Sequence, residues 1–281
     1  MLSQSESQAV PIVAVNSQGA TKPRFRFERG TVISILLLVV LLGGWELCSQ
    51  LGMVPRYLLP APSKVLLKLY SDFSGGAVWV DTYYTLAEIL LGFALAAVFG
   101  VVTGAAVALS PLADKVLSPY ITCLQTIPKP AVAPLLIIWF GFGINSKIVI
   151  AALIAFYPIV VNAIVGFRSS DPRQILLMQV MKASRFQIFS KVQLPNAMPF
   201  LMAGFQIAMV FSVIGAIVGE FLGASRGLGA LIIQRQSEMD VAGVFALLVV
   251  LSSIGMILSW IIKALSRHFV FWASTEDIRG V

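Results

Sequence analysis

Residues Arg173 to Pro199 read RQILLMQVMKASRFQIFSKVQLPNAMP, a basic, amphipathic island between two long apolar runs. A segment of this kind is a loop that emerges from a membrane carrying helices of its own. After Phe186 the apolar residues Phe186, Ile188, Phe189 and Val192 recur at helical spacing. Gln187, Ser190 and Lys191 fall between them, which marks one apolar and one polar face. Pro195 cannot continue that helix, and Pro199 suits the first turn of the next. The expectation is a short surface helix that presents a face to a partner. The plainer alternative is an amphipathic helix lying on the membrane surface.

Composition supports the membrane around it. The 281 residues are 58% hydrophobic and 12% charged, against about 25% charged in soluble domains. The fold class expected is an all-α polytopic membrane protein. A net charge of +7 would suggest nucleic acid in a soluble chain, but here the positions of the charges decide otherwise. Cys48 and Cys123 sit in or beside apolar segments without a partner at metal-ligand spacing, so neither a disulfide framework nor a zinc site is supported. His268 is the only histidine, which excludes a histidine dyad or cluster.

Six spans are expected, at about 31–50, 82–109, 119–141, 148–167, 197–223 and 241–265, each long enough for a hydrocarbon core of about 30 Å. Residues 1–30 form an N-terminal tail ending in Lys22, Arg24, Arg26 and Arg29, with no good cleavage site after the first apolar run. Residues 31–265 form the membrane domain, with the loop at 168–196, and 266–281 a polar tail. Between the first two spans, the prolines at 55, 60 and 62 precede Ser63, a natural N-cap for the amphipathic stretch 64–70. Ser110 to Leu117 is expected as a turn, and so is Phe142 to Lys147.

Small residues are patterned. Gly92, Ala96, Gly100, Gly104 and Ala108 lie four apart in the second span, a stripe that lets helices approach closely in lipid. In the fifth span Gly204, Ala208, Ser212, Ala216 and Glu220 share one face, with Gly215, Gly219 and Gly223 on the adjacent one. Two such faces imply two close neighbours, one of which could be a second copy of the chain.

The third span carries Pro128, Pro130 and Pro134, which remove backbone donors and kink or break the helix. Irregular backbone at membrane depth is tolerated against protein or a water-filled cavity, so Pro128, Lys129, Pro130 and Pro134 are candidate lining for a translocation path. Lys129 either faces that interior or snorkels to an interface. Asn162 is either an interhelical hydrogen bond or a substrate contact. Glu220 is a gate or substrate residue, a partner for Lys129, or an exposed carboxylate at the outer interface. Gly223 to Gly229 is glycine-rich but lacks the phosphate-loop pattern.

With both ends inside, thirteen Lys and Arg fall in cytoplasmic segments and six in outer ones, with Lys129 left in a span. The excess inside satisfies the positive-inside rule and places the 168–196 loop in the cytoplasm.

The run Lys182 to Pro199, KASRFQIFSKVQLPNAMP, resembles the cytoplasmic coupling loop of the permease subunits of bacterial ABC importers, and looks most like the nitrate, sulfonate and taurine type. Leu176 and Lys182 stand where that loop usually has its Glu and its Gly. A second resemblance is the pattern I-P-x-x-A-x-x-P-L-x-I-x-W-F-G-x-G, which stands here as Ile127 to Gly143. Glu88 occupies a place where that branch more often has a basic residue, and a similar G-L-G follows the equivalent of Glu220 in the family.

The resemblance implies a non-catalytic permease with its coupling helix between spans four and five. Met181, Lys182, Ala183, Ser184, Arg185, Phe186, Phe189 and Pro195 would contact a separate ATPase. That subunit would hold ATP and Mg, and this chain would bind no cofactor. It further implies a second permease copy, an extracytoplasmic solute-binding protein, the lipid bilayer of the bacterial inner membrane as the setting and no nucleic acid. Expected cargoes are a sulfonate, a nitrate-like oxyanion, or a vitamin precursor such as a pyrimidine or flavin. The alternative is an ATP-independent secondary transporter or channel, which would need an ionisable relay; Glu88, Lys129 and Glu220 are scattered candidates for one.

Overall fold

The computed structural model describes residues 29–272 apart from Arg56. The expected tail at 1–28 and the last residues from 273 lie outside the described residues. Contacts divide the chain after Gly44. The leading unit is, among described residues, the first part of helix α1 (Arg29–Gln50), whose apolar residues from Ile33 to Leu42 are exposed. All that follows concerns the unit that begins at Trp45.

Its elements are α2 (Pro62–Ser74), α3 (Ala77–Leu109), α4 (Pro111–Thr126), α5 (Lys129–Phe140) and α6 (Ile144–Arg168). After these come α7 (Pro172–Val180), α8 (Arg185–Ile188), a π-helical turn (Phe189–Gln193), α9 (Leu194–Phe221), α10 (Leu228–Ser237) and α11 (Val241–Phe269). No strand occurs among the described residues. Among the described residues, five helical stretches are long and apolar enough to cross a membrane, and α4 with α5 makes a sixth if the bent pair counts as one.

Helix direction settles how that pair is used. A Cβ placed on Gly92 would lie 2.6 Å from Ala151 Cβ, and one on Gly100 2.8 Å from Ile159 Cγ2, while Gly104 closes on Ala163. Position rises together on both helices, so α3 and α6 run parallel. The chain between them must return to the end from which α3 started, and α4 and α5 are therefore one broken crossing. α9 runs antiparallel to both, with Gly204 against Asn162 and Gly215 against Ala151.

These approaches explain the small-residue stripes. With no hydrophobic effect between helices in lipid, close packing must hold them, and glycine removes the atom that would keep them apart. Ala151 is the meeting point, since Gly92 of α3 and Gly215 of α9 both close on it. The two small-residue faces of α9 are occupied within the chain. Gly204, Gly215 and Gly219 pack on α6, and Ser212 donates a 2.8 Å hydrogen bond to the Ile89 carbonyl of α3. Neither face is left for a second copy, which corrects that expectation.

Several boundaries differ from the sequence reading for local reasons. The 110–117 stretch is helical because Ser110 N-caps α4, its hydroxyl accepting from the Ala113 N–H at 3.3 Å, and Pro111 is pre-set for the first turn. The third crossing is two helices bent by 100°, not one kinked span over 119–141. Pro128 holds Ile127 extended, at φ −68° and ψ 125°, and Pro130 withholds a further donor. Ser63 is inside α2 and bonds to Glu46 at 2.7 Å, while Ala61 takes the N-cap. Lys147 lies inside α6 and is buried, not in an exposed turn. α11 runs on to Phe269, past the expected end at 265. Helix α10, absent from the sequence reading, fills part of the interval between the last two crossings.

Candidate functional site

The 172–193 segment gathers at one end of the bundle. Asp171 starts α7, its carboxylate accepting from the Arg173 N–H at 2.8 Å. Ser184 starts α8 with a capping box, its hydroxyl accepting from Gln187 N–H while Gln187 Oε1 accepts from Ser184 N–H at 2.7 Å. Asn196 Nδ2 donates to Gln174 Oε1 at 3.1 Å and ties α7 to the base of α9. The turn between α7 and α8 passes through Lys182 at φ +57°, the left-handed region where glycine sits without cost. This is the position where the resembled loop usually carries glycine.

The four apolar residues of the expected face part company. Phe186 is 76% exposed, whereas Ile188 is buried and Phe189 stacks on Phe167 at 5.7 Å. Val192 is half-buried. Met181, Arg185 and Lys182 are exposed, and so are Leu176, Leu177 and Val180 of α7. The outward surface is therefore Leu176, Leu177, Val180, Met181 and Phe186 around Arg185, with Ser184 exposed and Ala183 half-buried. A groove of about 1010 Å³ lies behind α8, lined by Leu109, Phe167, Arg168, Ser170 and Phe189.

Pro195 does not end the helix, contrary to expectation. The π-turn at 189–193 carries α8 straight into α9, with Pro195 in its first turn. A wider i→i+5 turn leaves room for a residue that cannot donate to i−4.

At the far end, buried polar groups join α3, α9 and α10. Thr85 Oγ1 of α3 donates to Glu220 Oε1 of α9 at 2.6 Å, and itself accepts from the Leu228 N–H at 2.8 Å. The Gly229 N–H donates to Glu220 Oε2, and the Gly227 N–H to Asp81 at 2.9 Å. Glycine is required at 227 twice over, since φ is +114° and a Cβ would run into the Glu220 carboxylate. Lys147 Nζ donates to the Phe142 and Gly143 carbonyls and fastens the end of α5 to α6. Glu88 is 2% exposed, and its carboxyl lies within hydrogen-bonding reach of Glu220, so these two residues are brought together and are not scattered. Glu220 thus clasps α9 to α3 and α10, and is neither exposed nor paired with Lys129.

Lys129 is half-buried at the start of α5, its Nζ 5.4 Å from the Tyr157 ring centroid. It shares with Trp139, Phe156 and Tyr157 a cavity of about 250 Å³. Pro128 caps α5, Pro130 lies in its first turn and Pro134 inside it. Asn162 Nδ2 donates to the Pro158 carbonyl of its own helix at 2.8 Å. Sequence reasoning missed Thr85, Lys147 and the role of Gly227 and Gly229. The G-L-G after Glu220 was the available signal.

Residues 83–270 match the family model described as the binding-protein-dependent transport system inner membrane component. The chain belongs to that family. It is a multi-pass ABC transporter permease, the non-catalytic membrane subunit of an ATP-driven importer. It is similar to the riboflavin transport system permease RibX of Chloroflexus aurantiacus, 33% identical over 95% of this chain and 99% of that one. The taurine transport system permease TauC of Escherichia coli is 31% identical over 89% of this chain and 93% of its own. A solved chain of the methionine ABC transporter MetNI, in inward-facing form, superposes with a TM-score of 0.61. It is 20% identical, covering 69% of this permease and 98% of that chain, and shows the fold. The family places an ATPase partner and a binding protein beside the permease.

Proposed function

We propose that this permease moves a small organic nutrient of the vitamin-precursor or sulfonate type inward across the bacterial inner membrane. It works as a pair of identical copies, with both termini and the 172–193 loop on the ATP side. The ATPase holds ATP and Mg and docks on Met181 to Phe186. The observation that carries this reading is the exposed apolar surface of Leu176, Leu177, Val180, Met181 and Phe186 around Arg185 at the end of a folded bundle. Exposed apolar side chains grouped with exposed Lys182 and Arg185 mark a surface for a partner.

The route of force follows from continuity. α8, the π-turn and α9 form one helical rod from Arg185 to Phe221, and the 28 residues of α9 alone span about 42 Å. Movement of the ATPases against Phe186 is delivered along that rod to Glu220, where α9 is clasped to α3 and α10. The broken crossing at Pro128 to Pro134 lines the path, with Lys129, Trp139 and Tyr157 offering a cation and ring faces to a planar or anionic solute. Resemblance to riboflavin and taurine permeases supports both cargo types.

The test is reconstitution in vesicles with the ATPase and binding protein encoded beside it. Uptake of riboflavin, a pyrimidine, taurine and an alkanesulfonate is measured with and without ATP. ATP-dependent uptake of one of them is expected. Uptake without ATP would favour a secondary transporter.

A further inference from the structure

Helix α2, at the end of the bundle away from the loop, has a wider apolar arc than the bundle uses. Val65 is buried, and Leu69 and Phe73 pack on the cluster of Val78, Leu228 and Leu247. Next to them around the helix, Leu66 and Tyr70 extend the arc beyond that contact and are 63% and 75% exposed. Ser63, Lys64, Ser71 and Ser74 take the rest of the circumference, with Leu67 among them. α2 cannot roll to hide the surplus. Buried Arg235 holds Asp72 at 2.8 Å and Asp240 at 2.9 Å, and Lys68 reaches Asp240 at 2.9 Å.

The surplus continues onto α3. Phe73 meets Trp79 edge to face at 5.0 Å, and Trp79 and Tyr83, one turn apart, are both exposed. Below them exposed Leu90, Leu91 and Val98 extend the strip along the crossing. Trp and Tyr belong where hydrocarbon gives way to headgroups. The order along the surface is thus charged or hydroxylated, then aromatic, then aliphatic, which is the order of a bilayer boundary and not of an apolar protein contact.

We propose that α2 is an interfacial helix whose Leu66 and Tyr70 edge is seated in lipid at the headgroup boundary, level with Trp79 and Tyr83, while Lys64 and Ser71 face water. The helix fixes the depth of α3, α10 and α11 in the bilayer. This inference does not depend on the cargo or on the loop's partner.

Single cysteines at 64, 66, 70 and 71, in a chain with Cys48 and Cys123 replaced, would be spin-labelled. The full chain with its ATPase would be placed in phosphatidylethanolamine–phosphatidylglycerol vesicles and its labels tested with oxygen and a water-soluble nickel chelate. Labels at 66 and 70 should favour oxygen several-fold over those at 64 and 71, which should favour nickel. Equal nickel access at all four would place the edge in water and overturn the proposal. Shielding of 66 and 70 from both reagents would mean that protein covers it, and would overturn it equally. Positions 66 and 70 report independently, so failure of one variant to assemble leaves the other.

Discussion

Thr85 on α3 and Glu220 on α9 are joined by a 2.6 Å hydrogen bond sealed inside the far end of the bundle, and the Thr85 hydroxyl also receives the Leu228 N–H. Thr85→Val keeps the volume but strands both groups. An unsatisfied buried polar group costs about 1–3 kcal/mol, so the variant should melt several degrees lower in detergent. Glu88→Gln keeps a donor toward Glu220 while removing the second of two adjoining buried carboxyls, and should leave stability unchanged or raise it.

Gly227 and Glu220 should show coupling in a double-mutant cycle. Gly227→Ala drives a Cβ into the Glu220 carboxylate and strains a φ of +114°, and is expected to destabilise strongly. In a Glu220→Ala background the clash disappears and only the backbone strain remains. The second substitution should then cost less, by an interaction energy of about 0.5–3 kcal/mol.

Lys182 is strained where it stands. At φ +57° a side chain costs about 1–2 kcal/mol relative to glycine. Lys182→Gly should raise the melting temperature of the permease, a result read from melting curves.

Asp240, which precedes α11, gives the far-end ion pairs a pH limit. Burial pushes its carboxyl up. Hydrogen bonds from Lys68 and the Gly243 N–H, with the charges of Lys68 and Arg235, outweigh that and hold it below the ordinary carboxylate range. A depressed folded value contributes stability above the unfolded value of about 3.9 and loses it as pH falls through the folded one. Asp240→Asn should therefore lower the melting temperature between about pH 5 and 8, with the difference from the parent closing in stronger acid.

Much of this was legible in the sequence because lipid imposes simple rules. The apolar runs, the glycine stripes of α3 and α9 and the proline break at Pro128 each have one physical use in a membrane. The remainder depended on three-dimensional neighbours. Periodicity placed Phe186 and Phe189 on one face, but Phe167 captures Phe189. Lys147 looked like a turn residue because its partners are carbonyls, which carry no sequence signal. Pro195 looked like a terminator because a π-turn cannot be read from residue spacing.

The separation of Phe186 from Phe189 turns the coupling assignment into a two-sided test. Truncating a fully buried aromatic costs about 3–5 kcal/mol. Phe189 is stacked on Phe167 but only half-buried, so Phe189→Ala should destabilise the bundle by less than that, as a lower melting temperature.

Arg185→Glu combined with Phe186→Ala alters only exposed side chains and should leave folding and membrane insertion unchanged. The decisive experiment is ATP-driven uptake by this double variant in vesicles holding ATPase and binding protein, with ATPase co-purification measured alongside. Loss of uptake and of ATPase retention, with an unchanged melting curve, is the predicted result. Normal uptake with the ATPase still bound would contradict the assignment of the 172–193 loop as the coupling surface.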